Sequence, residues 1–418
     1  MTFFQLAGIL MTVIVLLGYL NNRFTRLPDS LGITAAGVIV SVIFMIAGRL
    51  SPGSTEWAVD VIEKVNFSEV VFHGLLGILL FAGSLHTRIE KLMPYIMPIT
   101  LLSTASVLIS TVVIGFLLYA VLQLIGVQIG LLYCMMFGAL ISPTDPIAVM
   151  AALKGKSLPE PLHARLTGEG LFNDGTGVVA FLTLAGLAAG AGSPSIVDVS
   201  LKLLAEILGA ITLGVAAGYG ALLMIRSLTS TPLKIMVTLT LSVGGYGLAE
   251  FVHVSAPIAV VVSGLTVGTL WHRIDIGEEM REELLSYWEL KDELMNLVLF
   301  GLIGIKLIAL DLALEHLFIA LMAIPIVLAG RAVSIWLPAM AMRPIRKPPE
   351  HLIPIMTWGG IRGAISIALA LSLPEFVGRE HLIAATYAVV IFSLLVQALT
   401  IGKLMKGLQS KVSQSKPK

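Results

Sequence analysis

Charged residues are scarce in this chain. Only 13% of its 418 residues are Asp, Glu, Lys or Arg, whereas 57% are hydrophobic, and a soluble globular domain carries about 25% charged residues. The mean hydropathy is +0.95. The composition therefore excludes a soluble globular protein and indicates one that crosses a membrane many times.

Three other absences restrict the function. The single cysteine, Cys134, excludes an intramolecular disulfide and any metal or redox site of the CxxC type. A net charge of +1 offers no concentrated basic surface for nucleic acid. The phosphate-binding pattern GxxxxGK[ST] is missing, so any transport is expected to be driven by ion gradients and not by ATP. We expect neither an enzyme nor a resident cofactor.

Apolar runs long enough to cross about 30 Å of hydrocarbon recur along the whole chain. Thirteen are predicted: 3–20, 30–47, 67–85, 94–123, 129–153, 162–190, 199–225, 233–251, 256–271, 294–311, 316–341, 351–373 and 382–402. The first is interpreted as a retained span, because no small-residue cleavage motif follows it. The predicted fold class is an all-α polytopic membrane protein without a soluble domain.

Basic residues lie unevenly on the two sides of this arrangement. When basic residues within four positions of a span end are counted with the adjoining connection, the odd-numbered connections and the C-terminal tail carry twenty lysines and arginines, and the even-numbered connections carry four. Because basic connections stay in the cytoplasm, the N-terminus is predicted outside and the C-terminus inside. The expected location is the plasma membrane, which is the inner membrane in bacteria. The three remaining basic residues, Lys306, Arg331 and Arg362, lie within spans.

Two spans contain sequences that interrupt a helix. Span 5 contains SPTDP at 142–146, whose prolines remove backbone donors, and span 12 contains TWGGIRG at 357–363, whose glycines weaken the helix. The two spans are seven positions apart, an odd offset that reverses direction, so spans 1–6 and 8–13 are predicted to form two inverted six-helix repeats. The predicted parts are 1–191 for the first repeat, 192–231 for a linking helix, 232–408 for the second repeat and 409–418 for a basic tail.

Four charges from four spans are predicted at a similar depth. At about 1.5 Å of rise per residue, Asp145, Asp174, Arg331 and Arg362 lie roughly 12 to 18 Å from the cytoplasmic ends of their spans. Charge at that depth is costly and usually lines an ion or proton pathway or forms an ion pair. The agreement predicts one site near the middle of the membrane.

Span 6 carries three polar residues of this candidate site. Asn173 is four residues after Glu169 and shares its face of the helix, whereas Asp174 projects about 140° away. We therefore expect Glu169 to pair with Arg331 as a structural contact, and Asp174 to face the interrupted backbone of span 5.

This arrangement would suit a small hard cation such as Na⁺, which takes oxygen ligands. Asp174 offers a carboxylate, Asn173 an amide oxygen, and Thr144 a hydroxyl or carbonyl oxygen. Burial and neighbouring charges tune the proton affinity of a carboxyl group, so a cation and a proton can compete for Asp174. One such carboxylate predicts a 1:1 exchange, unless Lys306 joins a charge relay instead of extending toward the membrane surface.

Several residues have two interpretations. Asp145 either caps the half-helix that follows it or contacts the ion. Arg362 is expected to compensate carbonyl dipoles at the crossing rather than to bind substrate. His73 and His86 either sense pH or are ordinary packing residues. The acidic stretch 275–293 is expected to lie on the membrane surface as an amphipathic connection, although its acids could also concentrate cations.

Two other functions compete with cation exchange. A proton-coupled symporter for an organic solute would need groups that grip a larger substrate. An intramembrane aspartyl protease could use Asp145 and Asp174, but the sequence GxGD is missing and proline stands on both sides of Asp145. Both alternatives are therefore less favoured.

Several ordered motifs resemble the NhaP/NHE branch of monovalent cation/proton antiporters. They are TDP at 144–146, Glu-x-x-x-Asn-Asp at 169–174, Gly-Arg at 330–331 and GGIRGAISIALALSLP at 359–374. The resemblance implies thirteen helices with two crossed, unwound helices, a homodimer in lipid, and Na⁺, or sometimes K⁺ or Li⁺, exchanged for H⁺. It also implies that Asp174 binds the ion, with Thr144 and Asn173 in the site, and that Glu169 and Arg331 form a structural ion pair.

Two positions depart from that pattern. Many relatives carry an acid in span 3 where this chain has Ala82, and a serine where it has Gly170. Both changes remove oxygen atoms, so they bear on which cation is selected, and a K⁺/H⁺ antiporter of the same fold is the main alternative.

Overall fold

The computed structural model describes nine stretches of the chain. They are residues 2–51, 53–87, 89–145, 149–150, 160–189, 196–271, 278–309, 314–344 and 351–415. The described residues form helices, turns and connecting segments, and they contain no strand.

Sixteen helices make up the described part of the chain in the numbering used below. They are α1 (Phe3–Leu20), α2 (Asp29–Leu50), α3 (Glu56–Glu63), α4 (Phe67–Leu85), α5 (Ile89–Leu124), α6 (Leu131–Ile141), α7 (Glu160–Ala188), α8 (Ile196–Ser227), α9 (Thr231–Phe251), α10 (Ala256–Leu270), α11 (Glu278–Lys306), α12 (Leu314–Met342), α13 (Leu352–Trp358), α14 (Ala364–Leu371), α15 (Arg379–Phe392) and α16 (Ala398–Ser415). Helices α4 and α5 include short π or 3₁₀ turns, and a π turn at Ser393–Gln397 joins α15 to α16.

The prediction of an all-α membrane protein is confirmed. In the described part, nine helices are long and apolar enough to cross a membrane, and α6 and α10 are shorter apolar helices. Every one of the thirteen predicted spans contains helix at the expected place. The repeat boundaries near residues 191 and 231 stay a prediction.

Both predicted interruptions are present. Helix α6 ends at Ile141 and residues 142–145 are not helical, while α13 and α14 are separated by the non-helical residues 359–363. The two interrupted stretches touch, because the backbone N–H of Asp145 donates to the carbonyl of Ile361 at 2.7 Å. The two broken helices therefore cross at their unwound segments.

The helices pack as two bundles. The crossing bundle consists of α5, α6, α7 and α12 to α15, and within it α5 packs on α6 and α12, α7 on α6, and α14 on α6 and α15. The flanking bundle consists of α1, α2, α4 and α8 to α11, with α10 packed on α4, α8 and α9, and α2 packed on α11. Helices α4 and α11 also contact α7 and α14, so the two bundles meet beside the crossing.

Glycines allow a close helix contact within the flanking bundle. A Cβ atom at Gly214 would lie 2.5 Å from the carbonyl oxygen of Ala259, and one at Gly218 would lie 2.9 Å from that of Ser263. Without side chains at these two positions, α8 approaches the backbone of α10 directly. Such small-residue faces allow close van der Waals packing, on which helix association in membranes depends.

One element departs from the sequence-based expectation. The acidic stretch was expected to be a separate connection on the membrane surface, yet from Glu278 it belongs to the single helix α11, which continues without a break to Lys306. Residues 278–293 are therefore continuous with the following span, and their position at a membrane surface stays a prediction. The helix continues because residues 278–293 include no Pro or Gly.

Lys306, at the end of α11, has well-defined partners. Its Nζ donates to the carbonyls of Ile62 and Val65 at 3.0 and 3.3 Å. These carbonyls lie at the C-terminal end of α3, where a positive charge interacts favourably with the helix dipole. The lysine thus holds α3 against α11.

Candidate functional site

Helix α7 supplies three of the predicted site residues. It is 29 residues long and carries Glu169, Asn173 and Asp174 in its central turns. All three are buried, with Glu169 1% and Asp174 5% exposed. Their surroundings differ completely, because Glu169 and Asn173 face the interior of the crossing bundle and Asp174 faces a cavity.

Glu169 and Arg331 are in direct contact. Nη2 of Arg331 lies 2.8 Å from Oε1 and 2.9 Å from Oε2 of Glu169. Nε of Arg331 also donates to the carbonyl of Met356 at 3.4 Å, so this one side chain joins α12 to α7 and to α13. A buried charge of this kind is tolerated only when it is paired and hydrogen-bonded.

Asn173 extends this network to the first interrupted helix. Its Nδ2 donates to Oγ1 of Thr144 at 2.6 Å and to Oε1 of Glu169 at 3.2 Å, and the Thr144 hydroxyl itself donates to Glu169 at 3.3 Å. The orientation of the amide follows from the carboxylate, which can only accept. Oδ1 of Asn173 is therefore left over, and it has no hydrogen-bond partner among the described residues.

Arg362 bridges the two interrupted helices. It is 1% exposed, and its Nη1 donates to the backbone carbonyls of Ser142 and Pro143, the latter at 3.0 Å. Both carbonyls lack helical partners because the prolines of SPTDP break the helix. The guanidinium thus satisfies acceptors that would otherwise be buried without a donor.

Asp145 stands at the crossing itself. Besides the backbone hydrogen bond to Ile361, its side chain packs against Gly363, where a Cβ atom would lie 2.8 Å from the Oδ2 of Asp145. Only glycine fits at residue 363 without displacing that carboxylate. Residues 146–148, at which Asp145 was expected to cap a half-helix, lie outside the described residues.

Asp174 faces a cavity of about 350 Å³ between the two bundles. The wall is formed by α4 and α11 of the flanking bundle and by α7, α14 and the unwound residues 143–145 of the crossing bundle. No hydrogen bond or ion pair to Asp174 is present in the described part of the chain. No Lys or Arg stands among the described residues of the wall.

The cavity extends from Asp174 along a single face of α7. His163, Thr167, Gly170 and Asp174 all line it, at successive turns of the helix, so it covers about 16 Å of the helix at 1.5 Å per residue. On α4 the lining residues continue to His86 and Thr87, beyond the C-terminal end of the helix. The cavity therefore connects the middle of α7 with the helix ends near His86 and His163.

Sequence reasoning missed six polar residues of this wall: Thr87, His163, Thr167, Asp292, Asn296 and Ser366. The i, i+4 spacing of Asp292 and Asn296 was a usable signal, because it puts both on one face of a helix. It was overlooked because the stretch around Asp292 was assigned to the membrane surface. Thr167 and Ser366 carried no distinctive pattern.

The histidines and Ala82 are also located. His86 lines the cavity, and its Nδ1 lies 2.8 Å from the carbonyl oxygen of Ala82, whereas His73 lies 3.4 Å from Glu250 on α9. Ala82 is buried and does not belong to the cavity wall. No cluster of three or more His, Cys, Asp or Glu side chains that could hold a resident metal ion occurs among the described residues.

The chain is similar to known sodium/proton antiporters over almost its full length. It is 39% identical to the Na⁺/H⁺ antiporter NhaP of Pseudomonas aeruginosa over 407 residues, and this similarity covers 96% of each chain. It is 31% identical over 395 residues to the Na⁺/H⁺ antiporter NhaH of Halobacillus dabanensis, covering 92% of this chain and 93% of that relative. These two similarities each extend across the candidate site.

The fold is similar to a solved one. The structure of the sodium proton antiporter MjNhaP1 from Methanocaldococcus jannaschii at pH 8 matches with a TM-score of 0.74 and 20% identity, covering 98% of this chain and 99% of that one. Residues 10–407 match the family described as "Sodium/hydrogen exchanger, transmembrane". This multi-pass membrane protein belongs to the sodium/hydrogen exchanger family.

Proposed function

We propose that the protein is a secondary antiporter that exchanges a monovalent cation, Na⁺ in the first place, for H⁺. The observation that carries the proposal is the position of Asp174. It is a nearly buried carboxylate without a hydrogen bond or ion pair in the described part of the chain, at the inner end of a cavity beside two crossed, unwound helices. The names of the similar proteins, which are sodium/proton antiporters, support the same function.

Competition for the Asp174 carboxylate is the proposed mechanism. Either a proton or a cation neutralises it, and the empty, charged site moves across the membrane only poorly. Oxygen atoms near Asp174 would complete the coordination of a hard cation. Because the Thr144 hydroxyl and the Asn173 amide nitrogen are engaged with Glu169, the proposed ligands are Oδ1 of Asn173, the backbone carbonyls around Thr144, and Asp145.

The proposed stoichiometry is one cation for one proton. Lys306 is engaged by backbone carbonyls at the end of α3 and does not line the described cavity wall, which argues against a charge relay through it. Glu169, Arg331 and Arg362 are proposed to be structural, since they hold α7, α12 and the two interrupted helices together. No step of the exchange needs a bound cofactor or an enzymatic reaction.

The proposed surroundings are a plasma membrane, with the N-terminus outside and the C-terminus in the cytoplasm, in contact with lipid and with a second copy of the chain. The distribution of basic residues supports the orientation, and it makes the end of the cavity near His86 and His163 the cytoplasmic one. Large apolar side chains of α1, α8 and α9 are exposed, among them Phe4, Tyr219 and Met236, and they are available to lipid or a second copy.

Purified protein in liposomes tests the proposal. Adding Na⁺, Li⁺ or K⁺ to acid-loaded vesicles should dissipate the pH gradient, as followed by a pH-sensitive dye. Asp174→Asn should abolish the effect, because an amide can neither release a proton nor neutralise a cation. Asp60→Asn is the matched control, since the same chemical change at the exposed Asp60 on α3 should leave the rate unchanged.

Four outcomes would contradict parts of the proposal. Folded wild-type protein that moves no protons in response to any monovalent cation would contradict exchange itself. A response to K⁺ but not Na⁺ would favour the K⁺/H⁺ antiporter, and proton uptake that requires an organic solute would favour a symporter. A rate that changes with an imposed membrane voltage would overturn the 1:1 stoichiometry.

A further inference from the structure

Helix α11 contributes a polar wall to the cavity at a distance from the crossed helices. Asp292, Asn296 and Leu299 line the cavity at positions i, i+4 and i+7, so they occupy one face of the helix. Glu293, the next acid, is exposed and does not line the described cavity. The cavity therefore has a further carboxylate besides Asp145 and Asp174, presented from the opposite bundle.

Asn296 contributes to this wall an amide oxygen that accepts no hydrogen bond from the described residues. The residue is 6% exposed, and its Nδ2 donates to the backbone carbonyl of Asp292 at 2.9 Å. A carbonyl only accepts, so the amide orientation is determined and Oδ1 is the remaining atom. Among the described residues nothing donates to this Oδ1 or to Oδ1 of Asp292, and both atoms are buried.

A buried acceptor without a donor is costly, and two of them one helical turn apart need a common explanation. The described wall contains no Lys or Arg that could donate a hydrogen bond to these two oxygen atoms. Its ionisable side chains are Asp145, Asp174, Asp292, His86 and His163. His86 and Asp145 are the titratable groups of the wall close enough to Asp292 to act on it electrostatically. Three carboxylates in one cavity make it a favourable place for a cation.

We propose that Asp292 and Asn296 form a second cation subsite, at which a partly hydrated monovalent cation binds before it reaches Asp174. The inference rests on the proposed exchange function and deepens it. The carboxylate and amide oxygens supply two ligands from one helix face, and water in the cavity supplies the others. The Oγ1 atom of Thr167, which also lines the cavity and lacks a described partner, lies on α7 two turns from Asp174 on the same route.

The subsite has a defined kinetic consequence. If it raises the local concentration of the cation without taking part in the exchange at Asp174, its loss should raise the apparent KM for Na⁺ and leave kcat almost unchanged. Asp292→Asn should raise that KM about tenfold, the effect of losing one charged ligand. Asn296→Ala should raise it about threefold, because a neutral oxygen contributes less.

The transport measurement uses proteoliposomes and initial rates of proton movement at increasing Na⁺. Glu293→Gln is the matched control. It removes a carboxylate charge from the residue next to Asp292, but the Glu293 side chain lies outside the cavity wall, so this variant should keep the wild-type KM. Asp292→Glu should restore most of the affinity, which a role in folding alone would not explain. An unchanged KM in Asp292→Asn, while the wild type exchanges Na⁺ normally, would overturn the subsite and leave the exchange function standing.

A binding measurement tests the subsite without transport. In detergent-solubilised Asp174→Asn protein, ²³Na NMR line broadening should still report Na⁺ binding, and the double variant Asp174→Asn with Asp292→Asn should lose it. Equal broadening in the two variants would refute the subsite. This result is independent of whether the wild type exchanges ions, so failure of the subsite and failure of the proposed function can be told apart.

Discussion

The two faces of α7 carry buried carboxylates with opposite surroundings. Glu169 contacts Arg331, Asn173 and Thr144 within 3.3 Å, whereas Asp174 faces the cavity with no such partner in the described part of the chain. Both residues belong to the same uninterrupted helix and lie only five positions apart. Burial alone therefore does not distinguish a carboxylate with fixed partners from one without them.

The difference follows from helix geometry. Five residues turn an α-helix by about 140°, so Glu169 points into the crossing bundle and Asp174 points to the gap between the bundles. On the first face, paired charges stabilise the contact of three helices. On the second, a carboxylate without fixed partners can take up and release a proton or a cation. The following four substitutions test this contrast, beginning with the largest expected effect.

Arg331→Ala should have the largest effect on stability. It leaves Glu169 buried without its positive partner, which costs about 3–5 kcal/mol. We expect a strong loss of folded protein, measured as monodisperse yield in detergent and as the thermal unfolding temperature.

The double variant Glu169→Gln with Arg331→Ala should recover part of that yield, because it removes the unpaired charge. If Arg331→Ala folded normally and lost only transport, then the Glu169 face would be part of the ion site, and the contrast between the two faces would fail.

Gly363→Ala should damage the crossing of the unwound helices. The added Cβ atom would lie 2.8 Å from Oδ2 of Asp145, and relieving such an overlap costs about 1–3 kcal/mol. We expect a lower unfolding temperature and slower exchange, because Asp145 is displaced from the cavity wall.

Gly186→Ala is the matched control, since it lies on α7 with nothing within 4 Å of its Cβ position. Wild-type transport by Gly363→Ala would show that the position of Asp145 does not matter to exchange.

Asn173→Ala should moderately affect both the stability of the Glu169 face of α7 and cation binding at Asp174. It removes the donor to Thr144 and Glu169, at a cost of about 1–3 kcal/mol, and it also removes the Oδ1 atom proposed as a cation ligand. We expect a lower unfolding temperature together with a higher KM for Na⁺, measured in detergent and in proteoliposomes. A change in stability with an unchanged KM would restrict Asn173 to the structural face.

Lys306→Met should have the smallest effect. Two hydrogen bonds to the end of α3 are lost, which costs about 1 kcal/mol each at most, and the exchange rate and its independence of membrane voltage should stay the same. Lys64→Met, an exposed ion-paired lysine on the same side, serves as the control. A rate that becomes voltage-dependent only in Lys306→Met would return this lysine to the transport mechanism.

Much of the fold could be predicted because membranes impose simple rules on a sequence. Apolar length determines where a helix can span, and the prolines of SPTDP and the glycines of TWGGIRG interrupt helices wherever they occur. The expectation that Asn173 shares the face of Glu169 rests on helical periodicity alone, and the hydrogen bond between the two matches that geometry. Each of these inferences needs only local information.

The polar wall on α11 could not be predicted in the same way. Asp292 belongs to a charged stretch, and local sequence cannot distinguish a helix on the membrane surface from the beginning of a spanning helix. Only the packing of α11 against α4 and α14 directs Asp292 and Asn296 into the cavity. The role of Lys306 was left open for a similar reason, since its partners belong to α3, more than 240 residues earlier.

The sequence by itself determined that this is a helical membrane protein with two interrupted spans and carboxylates at a common depth, because hydropathy and helix breakers act over a few residues. The tertiary structure decided which of those carboxylates is paired and which faces open space, because that depends on the contact of α7 with α12 and on the cavity between α7 and α11. A charged side chain is structural or functional according to its neighbours, and those neighbours are distant in sequence.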